Sequence, residues 1–411
     1  MAAQNDAVVI VGAGQAGAQV AQSLRQGGHT GLITMVGEEP FLPYERPPLS
    51  KDYLAGKRDT EQLFLRKADF WSSRGVEVRT GRRVVSVDRA AGAVVLDDGA
   101  RLPYGNLVWT TGGRPRRLTC EGCRLEGIHY IRSIADINLL REDMGDGERR
   151  IVVIGGGYIG LEMAAVLRIS GHAVTVLEAQ DRLLARVTSP PVSTYFLNLH
   201  RQRGVDVRLR TSVASLEGAQ GRVCAVRLTG GEILPADLVI VGIGIIPNVQ
   251  PLADACLHCP DGVAVDEFCR TQDTRILAAG DCAHHHNNFA GQSIRLESVQ
   301  NAIDQSKVLA GTILGNPLPY RALPWFWSNQ YEVKIQSVGL NAGHDRLVLR
   351  GHPEDGAFSV AYIQDTRLIA LDCIGGARDF VQGKAIIAAG ARVDAARLTD
   401  PATALMDAVI I

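Results

Sequence analysis

The stretch VVIVGAGQAGAQVAQSL, residues 8–24, returns in character as IVVIGGGYIGLEMAAVL at residues 151–167. Each copy opens with a run of β-branched residues, crosses a cluster of glycines and continues into an alanine-rich segment. β-Branched side chains suit a buried strand, and an alanine-rich segment with this apolar spacing suits a helix. In both copies a second short apolar run follows and ends at an acid: residues 32–36 before Glu38, and residues 173–177 before Glu178. Strand, glycine turn, helix, strand and acid in that order describe a βαβ nucleotide fold, and the chain carries two of them.

The spacing of the glycines gives each a task. Gly12, Gly14 and Gly17 form GxGxxG, with Ala16 inside the cradle; Gly155, Gly157 and Gly160 repeat it around Tyr158 and Ile159. The first glycine permits the tight turn, the second lets the backbone approach a pyrophosphate, and the third lets helix pack on strand. The helix N-terminus then offers oriented N–H groups and a positive dipole to the phosphates. Glu38 and Glu178 are placed to accept hydrogen bonds from ribose hydroxyls. A carboxylate at position 178 repels a 2′-phosphate, which favours NADH over NADPH, although Arg182 and Arg186 lie close by in sequence. Two dinucleotide folds in one chain have one economical use: one holds FAD and the other brings a nicotinamide to it.

At 411 residues the chain exceeds one ordinary domain. The stretch LVWTTGGRPRRL, residues 107–118, reads as a strand entering a glycine turn and a basic linker. A discontinuous FAD domain is therefore expected over 1–113 and 250–320, with the NAD domain inserted at 114–249. Residues 276–279 read as a further strand, and Val299, Ala302, Ile303, Leu309 and Ile313 share one helical face. The last part, 321–411, alternates in strand fashion around residues 347–350, 358–363 and 368–371, and reads as an α+β domain. The expected class is α/β: two Rossmann-like domains, in the manner of glutathione reductase, plus this C-terminal domain.

A net charge of −1 argues against a nucleic-acid footprint, which needs a strongly basic face. No apolar run reaches the roughly 18–20 residues that span a membrane, and the N-terminal segment lacks the basic start of a signal peptide. The expected location is the cytoplasm. Cysteine placement bears on the chemistry. The first cysteine is Cys120, and FLPYERPPLSK, residues 41–51, contains none, which counts against a thiol working beside the flavin. Cys120 and Cys123, and Cys256 and Cys259, form two CxxC pairs far apart in sequence; they are read as packing residues, with no metal site expected. The triple His284–His286 is read as a surface turn.

The ordered set VGAGQAG (11–17), PYERPPLSK (43–51), TTGGRPR (110–116), GGGYIGLE (155–162), GIGIIPN (242–248), AAGDCA (278–283), RLESVQNA (295–302) and PWFWSNQY (324–331) resembles the NADH-dependent ferredoxin reductases of bacterial oxygenase systems. The resemblance covers about residues 6 to 380. It implies that Asp281 binds the FAD ribityl chain, and that Lys51, paired with Glu162, sits beside the isoalloxazine. Tyr158, four residues before Glu162, shares its helical face and is expected near the nicotinamide path. Arg46, Val84, Thr111, Arg132 and Val299 match further FAD-contacting positions, and Arg186 and Gly242 match the nicotinamide-dinucleotide side. Trp327 resembles the tryptophan at the flavin edge where a [2Fe–2S] ferredoxin docks, with Arg295 and Lys307 as the basic residues that meet it. Asn329 departs from the aspartate usual in that motif. The implied activity is transfer of electrons from NADH through FAD to a ferredoxin that serves a P450 or Rieske oxygenase. A rubredoxin acceptor, an NADH oxidase or peroxidase, and a redox-sensing flavoprotein remain as alternatives.

Overall fold

The computed structural model describes residues 6–410; the first five residues of the N-terminal segment and Ile411 lie outside that range. The chain forms two compact units, one comprising 1–46, 60–114 and 245–324, the other 47–59, 115–244 and 325–411.

In the first unit, a five-stranded parallel sheet runs in the order Ile276–Ala278, Asn106–Trp109, Val8–Val11, Ile33–Val36, Val76–Arg79. The central strand is buried along its whole length, as expected for a parallel strand covered on both faces. The helix Gln15–Gln26 follows it and buries Ala16, Gly17, Ala18, Val20, Ala21 and Leu24. An antiparallel meander, Val84–Asp88, Ala93–Leu96 and Arg101–Pro103, is attached to this fold.

The second unit repeats the plan. Its parallel sheet runs Ile128–Tyr130, Leu238–Val241, Arg150–Ile154, Ala173–Leu177, Asp206–Arg208, again with a three-stranded meander, Val213–Ala219, Arg222–Leu228 and Ile233–Pro235. Strand order matches the first sheet from the second position onward. The outer strand differs in origin: it comes late in the chain in the first sheet and early in the second. The duplication read from residues 8–24 and 151–167 therefore extends over four strands of each sheet, and the outer strand is where the two part.

Unit 2 also holds a five-stranded antiparallel sheet in the order Trp325–Gln330, Val333–Gly339, Arg367–Ile374, Ala357–Gln364, Arg346–His352, followed by the helix Ala377–Ala388. The expected strands at 347–350, 358–363 and 368–371 lie inside the observed ones. The expected histidine turn is instead a strand, Ala283–Asn287, on which His285 is buried and His286 exposed. Alternation along the strand sends neighbouring imidazoles to opposite faces, which is why no turn is needed to accommodate them.

Arg350 closes the end of the chain. Its buried guanidinium donates to Asp379 at 2.8 Å and to the backbone carbonyls of Leu398, Asp400, Pro401 and Thr403. A planar fork with five N–H groups suits this gathering of acceptors. Arg350→Met is expected to lower unfolding stability by about 3–5 kcal/mol, because Asp379 and the carbonyls lose their partner. Chemical denaturation would measure the loss, and limited proteolysis would show early cleavage between residues 395 and 410.

Candidate functional site

The two glycine turns are stereochemical copies. Gly12 has φ +112°, and a Cβ there would stand 2.3 Å from the Thr110 carbonyl oxygen; Gly155 has φ +110°, with the Gly242 carbonyl oxygen at 2.4 Å. A Cβ on Gly17 would lie 2.0 Å from the Gly12 oxygen, and one on Gly160 would lie 2.1 Å from the Gly155 oxygen. The middle glycines behave differently. A Cβ on Gly14 or Gly157 would meet no protein atom within 4 Å. Both are N-caps in extended conformation without a side-chain cap bond, so the helix starts Gln15 and Tyr158 offer backbone donors to the space a side chain would fill. First and third glycines serve the fold, and the second leaves open space at the helix start. Both turns fit a dinucleotide pyrophosphate.

Around the first cradle, Gly280 closes against Ala16: a Cβ at Gly280 would lie 3.2 Å from the Ala16 Cβ. The Gly280 N–H donates to Gln305 Oε1 at 2.8 Å, which also accepts from Asn301 Nδ2 at 3.2 Å. Tyr320 donates its hydroxyl to Asn301 at 2.8 Å, and Ser306 donates to the Ala16 carbonyl at 3.0 Å. These buried amides fix the Gly280–Asp281 turn. They were not singled out in the sequence, although the polar pairs Gln300–Asn301 and Gln305–Ser306 interrupt an otherwise apolar helix face. Val299 begins that helix, capped by Ser298.

Arg46 lies against Glu39 at 2.6 Å and donates to the Tyr44 hydroxyl at 2.8 Å; Tyr44 in turn donates to Glu39 at 2.6 Å. Thr111 donates to the Asn248 carbonyl at 2.7 Å. Val84, at the start of the first meander strand, is buried in the core, and Glu38 is exposed with Arg83 3.9 Å away. Arg295 is largely covered, donating to Glu297 at 2.6 Å and to the Asp281 carbonyl at 3.0 Å, whereas Lys307 is exposed beside Asp304. Burial pushes the Cys282 thiol up to about 11, so no ready thiolate stands beside Asp281.

In the second unit, Glu178 is held at the end of its strand by the backbone N–H groups of Gly156 at 2.7 Å and Gln180 at 2.8 Å. Arg182 turns into its own loop, donating to the Thr188 and Ala185 carbonyls at 2.7 Å each and to Ser193 at 2.9 Å. Its charge is spent on structure, while Arg186 is exposed. Ile159 is exposed at the start of the helix, and Gly242 forms the wall of the turn with its N–H bonded to Ile154 at 2.8 Å. The backbone N–H of Arg132 bonds Asp136 at 2.9 Å, just ahead of the Ser133–Asp136 capping box.

The pair expected between Lys51 and Glu162 is present: Nζ lies 2.5 Å from Oε2 of a carboxylate that is only 5 % exposed. Ser50 donates to the same oxygen at 2.6 Å, and Ser328 donates to the other oxygen at 2.6 Å. Tyr158 packs its ring 4.7 Å from Phe326, and burial together with the nearby Asp372 raises its phenol above the usual range. Trp327 lies on the opposite face of the same strand, 5.5 Å from Trp325. A cation held by a buried carboxylate, an aromatic and an open helix N-terminus are thus assembled at the start of one helix.

Residues 6–306 match the family model described as pyridine nucleotide-disulphide oxidoreductase, and residues 325–409 match the one described as reductase C-terminal. The chain is 50 % identical over 396 residues to a ferredoxin–NAD(P)(+) reductase of Sphingomonas sp., covering 96 % of this chain and 95 % of that one. It is 42 % identical to putidaredoxin reductase of Pseudomonas putida, covering 93 % and 92 %. The crystal structure of the covalent putidaredoxin reductase–putidaredoxin complex superposes with a TM-score of 0.94 at 41 % identity, covering 98 % of each chain.

The glycine stereochemistry separates two substitutions. Gly17→Ala is expected to cost the apoprotein about 3 kcal/mol or more, through collision with the Gly12 carbonyl. Gly14→Ala is expected to melt within about 1 kcal/mol of the wild type yet bind FAD roughly ten-fold more weakly or worse. Thermal melting and FAD titration, run on the same two proteins, measure both.

Proposed function

The chain belongs to the pyridine nucleotide-disulphide oxidoreductase family, and from that premise we propose that it is an FAD-dependent NADH:ferredoxin reductase feeding a P450 or Rieske oxygenase system. The observation that carries this reading is the duplicated cradle, two stereochemically equal glycine turns at helix starts in one polypeptide. Held in the first cradle, FAD would supply the conversion of a two-electron hydride donor into the single electrons that an iron–sulfur acceptor requires.

The chain's own residues do the rest. We assign 1–113 and 250–320 to FAD binding, 114–249 to NADH binding and 321–411 to the C-terminal domain. Gly12, Gly14, Ala16 and Gly17 cradle the FAD pyrophosphate, with Glu38, Arg46, Val84, Thr111, Arg132, Asp281 and Val299 completing that site. Gly155, Gly157, Ile159, Gly160 and Gly242 cradle the NADH pyrophosphate, and Glu178 holds its adenosine ribose, with Arg186 alongside. Lys51 supplies positive charge beside the flavin ring and Glu162 holds that lysine in place. Tyr158 stands at the nicotinamide path, and its high phenol pKa keeps the ring neutral at physiological pH. Ferredoxin docking is assigned to Trp327, with Arg295 and Lys307 contributing basic groups. No helix among the described residues is long and apolar enough to cross a membrane, and the assigned location is the cytoplasm.

Anaerobic mixing of the FAD-loaded protein with NADH should bleach the flavin, and oxidised [2Fe–2S] ferredoxin should restore its colour; a flavin that stays oxidised would sink the assignment. A dithiol route is disfavoured by the cysteines themselves, since burial raises Cys269, Cys282 and Cys373. Replacing all eight cysteines, with alanine where buried and serine elsewhere, should leave ferredoxin reduction intact, as steady-state turnover would show.

Nucleotide choice is a separate expectation. Glu178→Arg should improve kcat/KM for NADPH relative to NADH by about ten-fold or more, the scale of one lost repulsion and one gained ion pair. Lys51→Ala should lower the flavin midpoint potential, because reduced flavin loses a neighbouring cation. Spectroelectrochemical titration of the FAD-loaded variant measures the shift.

A further inference from the structure

Glu162 receives hydrogen bonds from Ser50 at 2.6 Å, Lys51 at 2.5 Å and Ser328 at 2.6 Å, and the bond from Ser328 has a continuation that the ferredoxin-reductase reading leaves unused. Ser328 is fully buried on the strand Trp325–Gln330, and Gln330, two residues along the same face, brings its amide nitrogen to 3.5 Å from the Ser328 hydroxyl. The Gln330 amide oxygen lies 2.9 Å from Nε2 of His200 on the helix Pro190–Gln202. Both Gln330 and His200 are sealed from solvent, and His200 Nδ1 has no hydrogen-bond partner.

The direction of every bond in this row follows from proton counting. An ionised carboxylate only accepts, so the single Ser328 hydroxyl proton points to Glu162. Ser328 can then only accept from Gln330, which turns the amide nitrogen toward Ser328 and the amide oxygen toward His200. An oxygen at that position requires a proton on Nε2 of His200 and leaves Nδ1 bare. A second proton on Nδ1 would bury a charge without a partner, so the imidazole is held neutral; burial lowers its pKa accordingly. Donation therefore runs one way, from His200 through Gln330 and Ser328 to Glu162.

We propose that Ser328, Gln330 and His200 are positioning residues of the reductase reaction, a directed hydrogen-bond relay that fixes the Glu162 carboxylate and draws part of its charge away from Lys51. The Lys51 ammonium then keeps more of its positive field for the group it faces. This step rests on the assignment of Lys51 to the flavin side. The relay is built by the C-terminal sheet and completed by the nucleotide fold, both within one compact unit.

Two readouts test it, and one needs no cofactor. Nitrogen-15 NMR of histidine-labelled protein should show His200 as the neutral Nε2–H tautomer. Ser328→Ala does not touch His200, yet it frees the Gln330 amide to turn over and should convert His200 to a measurable mixture of tautomers. In the FAD-loaded protein, Ser328→Ala and Gln330→Leu should shift the flavin midpoint potential downward, as Lys51→Ala does but by less. Ser328→Thr, which retains the hydroxyl, should restore both readings. An Nδ1–H tautomer in the wild type overturns the relay. So does a His200 signal indifferent to Ser328→Ala. A potential that falls in Lys51→Ala but holds in Ser328→Ala and Gln330→Leu also overturns it. Should Lys51→Ala itself leave the potential unchanged, the flavin-side assignment of Lys51 fails, and with it the relay's proposed role in the reaction.

Discussion

The approach of one backbone to another, at Gly17 over the Gly12 carbonyl and at Gly160 over the Gly155 carbonyl, is the constraint on which the two nucleotide folds depend. It holds each helix start directly over the end of its strand, where the unsatisfied N–H groups can face a phosphate. Any Cβ at those points would push the helix off the sheet. The rest of each site is hung on that contact: Gly280 closes against Ala16, and Gly242 walls the turn of Gly155. Because the same contact recurs with nearly the same distances in both units, the two sites share one stereochemical solution and differ in what surrounds it.

The surroundings set the chemistry. In the second unit the helix start carries Tyr158 and Glu162 on one face, and Glu162 accepts from three donors on two other segments of the chain, Ser50–Lys51 and Ser328. A buried carboxylate is costly unless paired and hydrogen-bonded, and here both of its oxygens are met by named groups. Arg182, four residues beyond Glu178, illustrates the opposite use of charge: it is tied to its own loop by carbonyls and Ser193. Glu178, by contrast, is fixed by two backbone N–H groups at the end of its strand.

The fold was legible wherever local pattern and tertiary role coincide. Glycine spacing, β-branched runs and the acids after the second strands marked both sheets, and the Lys51–Glu162 pair followed from motif resemblance. What escaped was polar side chains buried by long-range packing. Asn301, Gln305 and Tyr320 look like ordinary helix and loop polars until the Gly280 turn is brought against them. Asp372 sits in a strand that reads as apolar, yet it accepts from Thr188, Ser337 and Tyr362, joining segments nearly two hundred residues apart. The histidine triple misled for the same reason: His285 is drawn inward by Gln305, 3.1 Å away, which no local signal announces.

The strand Trp325–Gln330 has a consequence for how its sequence can vary. Its odd positions, Trp325, Trp327 and Asn329, lie on one face, with Trp325 against Phe380; its even positions, Phe326, Ser328 and Gln330, finish the interior of the neighbouring nucleotide fold. Sequence drift along this strand should therefore be striped with a period of two residues. A graft of the terminal sheet from another reductase would carry a new outer face at little cost, but would succeed only if its inner stripe spelled the same three side chains.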